Sequence, residues 1–182
     1  HVMALIFGGN FQNPLREGAS FLGGSTHKTI PGPHKAFIAT NDETDFGIIK
    51  KSAETFISHA HSADVAALAI VLEEMEDKWH DYAIQVVKNA QVLAGCLDKR
   101  GFNVVGRQRG YTKTHQVWID IAPFMDAFDA AQKLASCNII VSTFRLPPSI
   151  ERFSLRLGVQ EITHLGAKGD IMIEIADVFE DI

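Results

Sequence analysis

Apolar and polar positions along the chain follow two different patterns. Early on, apolar residues come in short unbroken runs: VMALIF at 2–7, ASFLGG at 19–24 and KAFIAT at 35–40. Runs this short, ended by Gly8-Gly9 or by the turn former NDET, predict strands buried on both faces. Three of them predict a mixed or parallel sheet. From residue 62 the spacing changes to threes and fours. Val65, Leu68, Leu72 and Met75 predict an amphipathic helix with Ser62 as its N-cap. Ile84, Val87, Ala90 (or Gln91) and Ala94 predict a second helix, ended at Arg100 and stopped by Gly101.

After Gly101 the pattern alternates between the two. FNVVG (102–106), HQVWIDI (115–121), NIIVS (138–142) and RFSLRLG (152–158) read as strands. PFMDAFDAAQKLASC (123–137) reads as a helix with Pro123 in its first turn, and KGDIMIEIADVFEDI (168–182) as a last amphipathic helix. There is no internal repeat. The expected layout is sheet domain over 1–58, linking helices over 59–100, and a small α/β domain over 101–182.

Composition narrows the function classes. The hydrophobic fraction of 46% suits an ordinary core, and no apolar run approaches the roughly 20 residues of a membrane span. The first residues lack the basic region and cleavage site of a secretory signal, and the absent initiator Met suggests a processed or partial chain. A net charge of -5 without a Lys/Arg cluster argues against nucleic acid. Cys96 and Cys137 sit in expected helices and read as reduced, buried thiols, which favours a reducing cytoplasm.

The residues that carry chemistry lie in GGSTHKTIPGPHKAF, 23–37. A lysine amine held in a partly buried site becomes a nucleophile able to condense with an aldehyde. Adjacent hydroxyls and backbone N–H groups can bind a phosphate. Aldehyde and phosphate together describe pyridoxal 5'-phosphate, and the Pro-Gly-Pro turn would aim Lys28 at one place. The bland alternative is a solvated polar loop before a strand.

Four ordered motifs bear on that choice. STHKTIPGP resembles the lysine motif of serine hydroxymethyltransferases, Thr-Thr-Thr-His-Lys-Thr-Leu-x-Gly-Pro-Arg-Gly-Gly. HVMALIFGGNFQNPL resembles the segment preceding that lysine, HDYAIQVVKNAQVLAGCLDKRGFNVV the linking helix, and SLRLGVQEITHLGAKGDIMIEIADVF the family's ending. The resemblance covers nearly the whole chain. It implies α/β architecture: the second half of the large domain of pyridoxal-phosphate fold type I, mainly parallel sheet with helices, followed by a small C-terminal α/β domain.

The resemblance also implies roles. Lys28 would bond the cofactor, His1 would lie near its phenolic oxygen, and Ser25, Thr26 and His27 would sit beside it. Arg156 would bind the substrate carboxylate, a pairing suited to a bidentate guanidinium; alone, Arg156 also reads as a structural ion pair. The family aspartate for the pyridine nitrogen, the catalytic glutamate and the ring-stacking residue precede His1. A part of a longer, homodimeric cytoplasmic enzyme is therefore expected, inactive by itself.

Three departures bear on the substrate. The family's Pro-Arg-Gly-Gly reads Pro33-His34-Lys35-Ala36, and FISHAHSAD stands in place of its glycine-rich phosphate loop. Ser58, His59 and His61 would then donate to the phosphate. As a metal pair His59 and His61 lack companion Cys or carboxylate ligands. The folate-contacting loop aligns with VSTFRLP, which puts Phe144 where the family has a polar amide. A pterin edge would lose a hydrogen-bond partner there. That favours the threonine transaldolase relatives: retro-aldol cleavage at Cα–Cβ of a β-hydroxy-α-amino acid, with the glycyl unit passed to a free aldehyde. The alternatives are a folate-dependent serine/glycine hydroxymethyltransferase and a non-catalytic scaffold.

Overall fold

The computed structural model describes residues 1–146 and 152–181. Pro147, the end of the VSTFRLP loop, and Ile182 lie outside the described residues. The chain divides into two compact units, His1–Ile84 and Gln85–Ile182. The α/β class holds, but both sheets are antiparallel throughout the described residues, not mainly parallel.

In the first unit the run VMALIF forms a helical turn, α1 (Met3–Phe7), instead of a strand. An apolar run this short fits either state by pattern alone. Two long-range features decide it. Thr29 Oγ1 accepts a hydrogen bond from Ala4 N at 3.1 Å, which satisfies a donor at the helix start. At the other end Gly8 lies so close to a later helix that a Cβ there would be 2.4 Å from Trp79 O. Strands β1 (Leu22–Ser25) and β2 (Ala36–Ala39) pair antiparallel, Leu22 opposite Ala39 and Ser25 opposite Ala36. The lysine loop is thus the connection of a hairpin.

NDET is more than a turn, because it starts α2 (Glu43–Phe56). Asp42 accepts from Asp45 N at 2.8 Å as N-cap, and Glu43 and Asp45 place negative charge in the first turn. Helix α3 (Ser62–Glu74) is capped one residue earlier than expected, by His61 at φ 49°. Helix α4 (Trp79–Lys99) spans the boundary between the units. Its buried stripe is Tyr82, Ala83, Val86, Ala90, Leu93, Ala94 and Leu97. The expected stripe began at Ile84, which is 43% exposed. Both sets have helical period; only packing selects the face. Gly101 follows at φ 90°, the left-handed stop that glycine permits.

The second unit is a four-stranded sheet in the order β3 (Asn103–Val104), β4 (Gln116–Asp120), β6 (Phe153–Gly158), β5 (Ser142–Arg145). Val117, Ile119, Leu155 and Leu157 are buried on one face with Leu134, Met172, Ala176 and Phe179. Helix α5 (Ala127–Ser136) starts later than Pro123, because Asp126 caps it by accepting from Phe128 N at 2.8 Å. Asn138, at φ 62°, ends that helix, and Ile139 N donates back to Leu134 O. NIIV is consequently a helix exit, with the strand beginning at Ser142. Cys137 is exposed there and Cys96 half-buried in α4, so the expectation of two buried thiols fails; both are free. Helices α6 (Gln160–His164) and α7 (Gly169–Asp181) complete the unit. Buried Asn89 of α4 donates to Thr163 Oγ1 and Ala167 O at 2.9 and 2.8 Å, which fastens the turn between them.

Candidate active site

The hairpin loop from Thr26 to Lys35 is braced from within. Thr26 is 1% exposed. Its hydroxyl donates to Pro33 O at 2.6 Å and accepts from Lys35 N at 3.0 Å, while Thr26 N donates to Lys35 O at 2.9 Å. Gly32 N donates to Thr26 O, an approach so close that a Cβ on Gly32 would lie 2.7 Å from that oxygen. The Thr26 hydroxyl is therefore engaged within the loop itself, where it braces the turn.

Lys28 stands between two buried threonines. Thr29, also 1% exposed, donates its hydroxyl to His1 O at 2.8 Å while accepting from Ala4 N. Thr29 O in turn accepts from Tyr82 Oη of α4 at 3.0 Å. Burial pushes the Tyr82 phenol well above its ordinary value, so it stays a donor at neutral pH. Between these fixed points Lys28 is half-buried, and its Nζ donates to Ser25 Oγ at 3.0 Å. His27 stacks on His34, centroids 4.4 Å apart and planes 19° apart, and His27 Nδ1 is buried without a hydrogen-bond partner. His1 joins this loop through its carbonyl.

Two of the stretches that depart from the family pattern meet here. Lys35 Nζ donates to Ala60 O. That bond ties the loop to the segment bearing Ser58, His59 and His61, all exposed, with the two rings edge to face at 4.6 Å. Among the described residues no group of three or more potential metal ligands forms.

Arg156 belongs to the second unit. It lies on β6, opposite Trp118 of β4 and Ser142 of β5, on the sheet face away from the buried aliphatic residues. Its Nη2 donates to Ser142 Oγ at 3.3 Å, and its guanidinium carbon is 5.9 Å from the centre of the Phe144 ring. Phe144 meets Trp118 edge to face at 5.0 Å. No carboxylate among the described residues pairs with Arg156, unlike Arg152, which Asp120 holds. This weighs against a structural ion pair and leaves the guanidinium fork available to a ligand. Buried His115 lies just before β4. Burial, helped by the positive charge of Arg156, pushes its imidazole down to about 4, so it is neutral at pH 7.

The sequence profile of serine hydroxymethyltransferases matches residues 1–179. The chain belongs to the serine hydroxymethyltransferase family. A serine hydroxymethyltransferase of Pyrobaculum calidifontis is 43% identical over 181 residues, covering 97% of this chain and 42% of the relative. One of Methanocella arvoryzae is 41% identical, covering 97% and 43%. The crystal structure of L-threonine transaldolase from Pseudomonas fluorescens in its internal aldimine state superposes with a TM-score of 0.89 at 33% identity, covering 98% of this chain and 41% of that one. The chain thus spans about two-fifths of the length of these members and relatives.

The family's cofactor can be tested against the lysine loop. An amine already held by a hydroxyl, in a loop that also carries a buried imidazole nitrogen with no partner, suits a group that brings an aldehyde and hydrogen-bonding oxygens. The donor set fits pyridoxal 5'-phosphate. Thr29, Tyr82, Trp118 and His115 escaped the sequence reading. A threonine directly after the lysine was a visible signal for the first; the others depend on contacts distant in sequence.

Proposed function

We propose that the full-length protein is a pyridoxal-phosphate enzyme that breaks and makes the Cα–Cβ bond of β-hydroxy-α-amino acids. The observation that carries this reading is Lys28, its amine on Ser25 and its backbone clamped by Thr26 on one side and Thr29 on the other. Pyridoxal 5'-phosphate, when bound, supplies the aldehyde for that amine and a ring that draws electrons from Cα. Lys28 Nζ would hold the cofactor's aldehyde carbon, with Ser25 Oγ as the partner that keeps its amine in place. Ser58, His59 and His61 contribute phosphate contacts through the segment that Lys35 holds. Arg156 takes the substrate carboxylate bidentately and so selects the Cα bond presented to the ring. Homodimeric assembly and a cytoplasmic location belong to the same reading and rest on family resemblance. No helix among the described residues is long and apolar enough to cross a membrane.

For the acceptor the favoured reading is a free aldehyde, as in a threonine transaldolase. Phe144 packs on Trp118 and beside Arg156 and offers no hydrogen bond to a pterin edge. The second reading, a folate-dependent hydroxymethyltransferase, is favoured by the 43% identity to a relative of that name. The full-length protein is expected to release acetaldehyde from L-threonine and to join the glycyl unit to an added aldehyde. Inert threonine, with serine turned over only in the presence of tetrahydrofolate, would establish the second reading. Lys28→Ala is expected to abolish the visible absorption band of the bound cofactor; an unchanged band would remove Lys28 from its role. A wild-type protein with no such band would be a scaffold.

A further inference from the structure

His34 and Lys35 stand where the family pattern carries Arg-Gly. Both lie on the return arm of the lysine hairpin, just before β2, and every residue they engage belongs to the first unit. Their backbone is fixed. Lys35 N donates to Pro33 O at 2.8 Å and to Thr26 Oγ1 at 3.0 Å, and Lys35 O accepts from Thr26 N. Two side chains thus leave a rigid base, and each grips a different part of the unit.

Lys35 grips the connection between α2 and α3. That connection, 57–61, contains no glycine, although His61 stands at φ 49°, in the left-handed region that glycine adopts most readily. A histidine kept there has to be held by its surroundings. The Lys35 ammonium donates to Ala60 O, the carbonyl of the peptide that leads into His61. On the other side His61 O accepts from Asp64 N and Val65 N, at 3.0 and 3.2 Å. The chain is thus clamped before and after His61, whose ring meets that of His59 edge to face at 4.6 Å. His34 grips the start of the lysine loop. Its ring lies on that of His27 at 4.4 Å, with the planes 19° apart. His27 Nδ1 is buried without a hydrogen-bond partner. Stacking, not a polar bond at that nitrogen, therefore sets the plane of the imidazole next to Lys28.

We propose that His34 and Lys35 are positioning residues for the cofactor: Lys35 aligns the Ser58, His59 and His61 donors with its phosphate, and His34 aligns His27 beside its aldehyde end. The inference rests on the pyridoxal-phosphate reading. A glycine-rich segment approaches a phosphate through backbone N–H groups alone. Side-chain donors on a segment without glycine have rotamer freedom to lose, and a tether lowers that cost. The two residues act on different parts of one ligand, so their effects separate when the phosphate is removed from it.

Absorbance titrations of the full-length protein with pyridoxal 5'-phosphate, and with pyridoxal, which lacks the phosphate, test this without turnover. Lys35→Met is expected to weaken pyridoxal 5'-phosphate by about tenfold or more, the scale of one hydrogen bond to a charged group, and to leave pyridoxal within about twofold. Retained pyridoxal binding shows that the variant is folded. Lys35→Arg keeps a donor for Ala60 O and is expected to restore the affinity. His34→Ala is expected to weaken both ligands alike, by about 2- to 10-fold, the scale of one aromatic pair, and His34→Phe to restore both. An equal effect of Lys35→Met on the two ligands, a Lys35→Arg variant as weak as Lys35→Met, or a His34→Ala effect confined to one ligand overturns the proposal. If the wild-type protein binds neither ligand, the pyridoxal-phosphate reading falls and the proposal with it. If the wild-type protein binds both and Lys35→Met keeps their ratio, the proposal alone falls.

Discussion

Thr29 offers the sharpest test of how the lysine loop is held, because two substitutions there are expected to rank in opposite orders under two accounts. Its hydroxyl bridges His1 O and Ala4 N, and the side chain is 1% exposed. Thr29→Val keeps the shape and deletes the bridge. It leaves the buried Ala4 N–H without a partner and removes the donor to His1 O, at a cost of about 1–3 kcal/mol. Thr29→Ser keeps the bridge and loses one methyl, about 1 kcal/mol. If packing were what Thr29 contributes, valine would be nearly neutral and serine the worse variant. The assay is urea denaturation of the full-length protein, with cofactor affinity followed by visible absorbance. Valine is expected to show the lower midpoint and the weaker cofactor binding, since the bridge sits one residue from Lys28. A valine variant as stable as serine, with wild-type cofactor affinity, refutes the hydrogen-bond account.

Arg156→Lys is expected to raise KM for the amino acid and to lower kcat/KM by about 10- to 100-fold, since a point charge replaces a bidentate fork beside Phe144; steady-state kinetics with an unchanged kcat/KM would dismiss the carboxylate role. Asn89→Leu strips the partner from Gln85 Nε2 at 2.7 Å and from Thr163 and Ala167. It is expected to destabilise the protein by about 2–4 kcal/mol in denaturant titration. His115 has a folded value of about 4, below its ordinary 6.5, so the unfolded chain takes up the proton first on acidification. Its contribution is intact above pH 6.5 and is lost as pH falls towards 4, by roughly 3 kcal/mol at 1.36 kcal/mol per unit. Urea midpoints at pH 7, 5 and 4 should show that drop, and His115→Leu should flatten it.

What the sequence by itself determined is local or ordered along the chain. The family's lysine motif and arginine stand in order around helices whose period of 3.6 is plain in α4, α5 and α7. The same holds for the turn at Pro31-Gly32-Pro33 and the stop at Gly101, because a turn or a cap is specified by the residues within it. The tertiary structure decided everything that depends on a partner far away. VMALIF becomes a helix because Thr29 and Trp79 meet it from 25 and more residues on. The buried face of α4 shifts from Ile84 to Tyr82 and Val86, since the same periodic helix can be rotated without changing its pattern. Thr26 turns inward because Pro33 and Lys35 fold back onto it, and antiparallel pairing follows from that hairpin. Trp118 reaches Arg156 only through the register of β4 on β6. Periodicity records which residues seek burial; hydrogen-bond partners and strand neighbours exist only once the chain has closed upon itself.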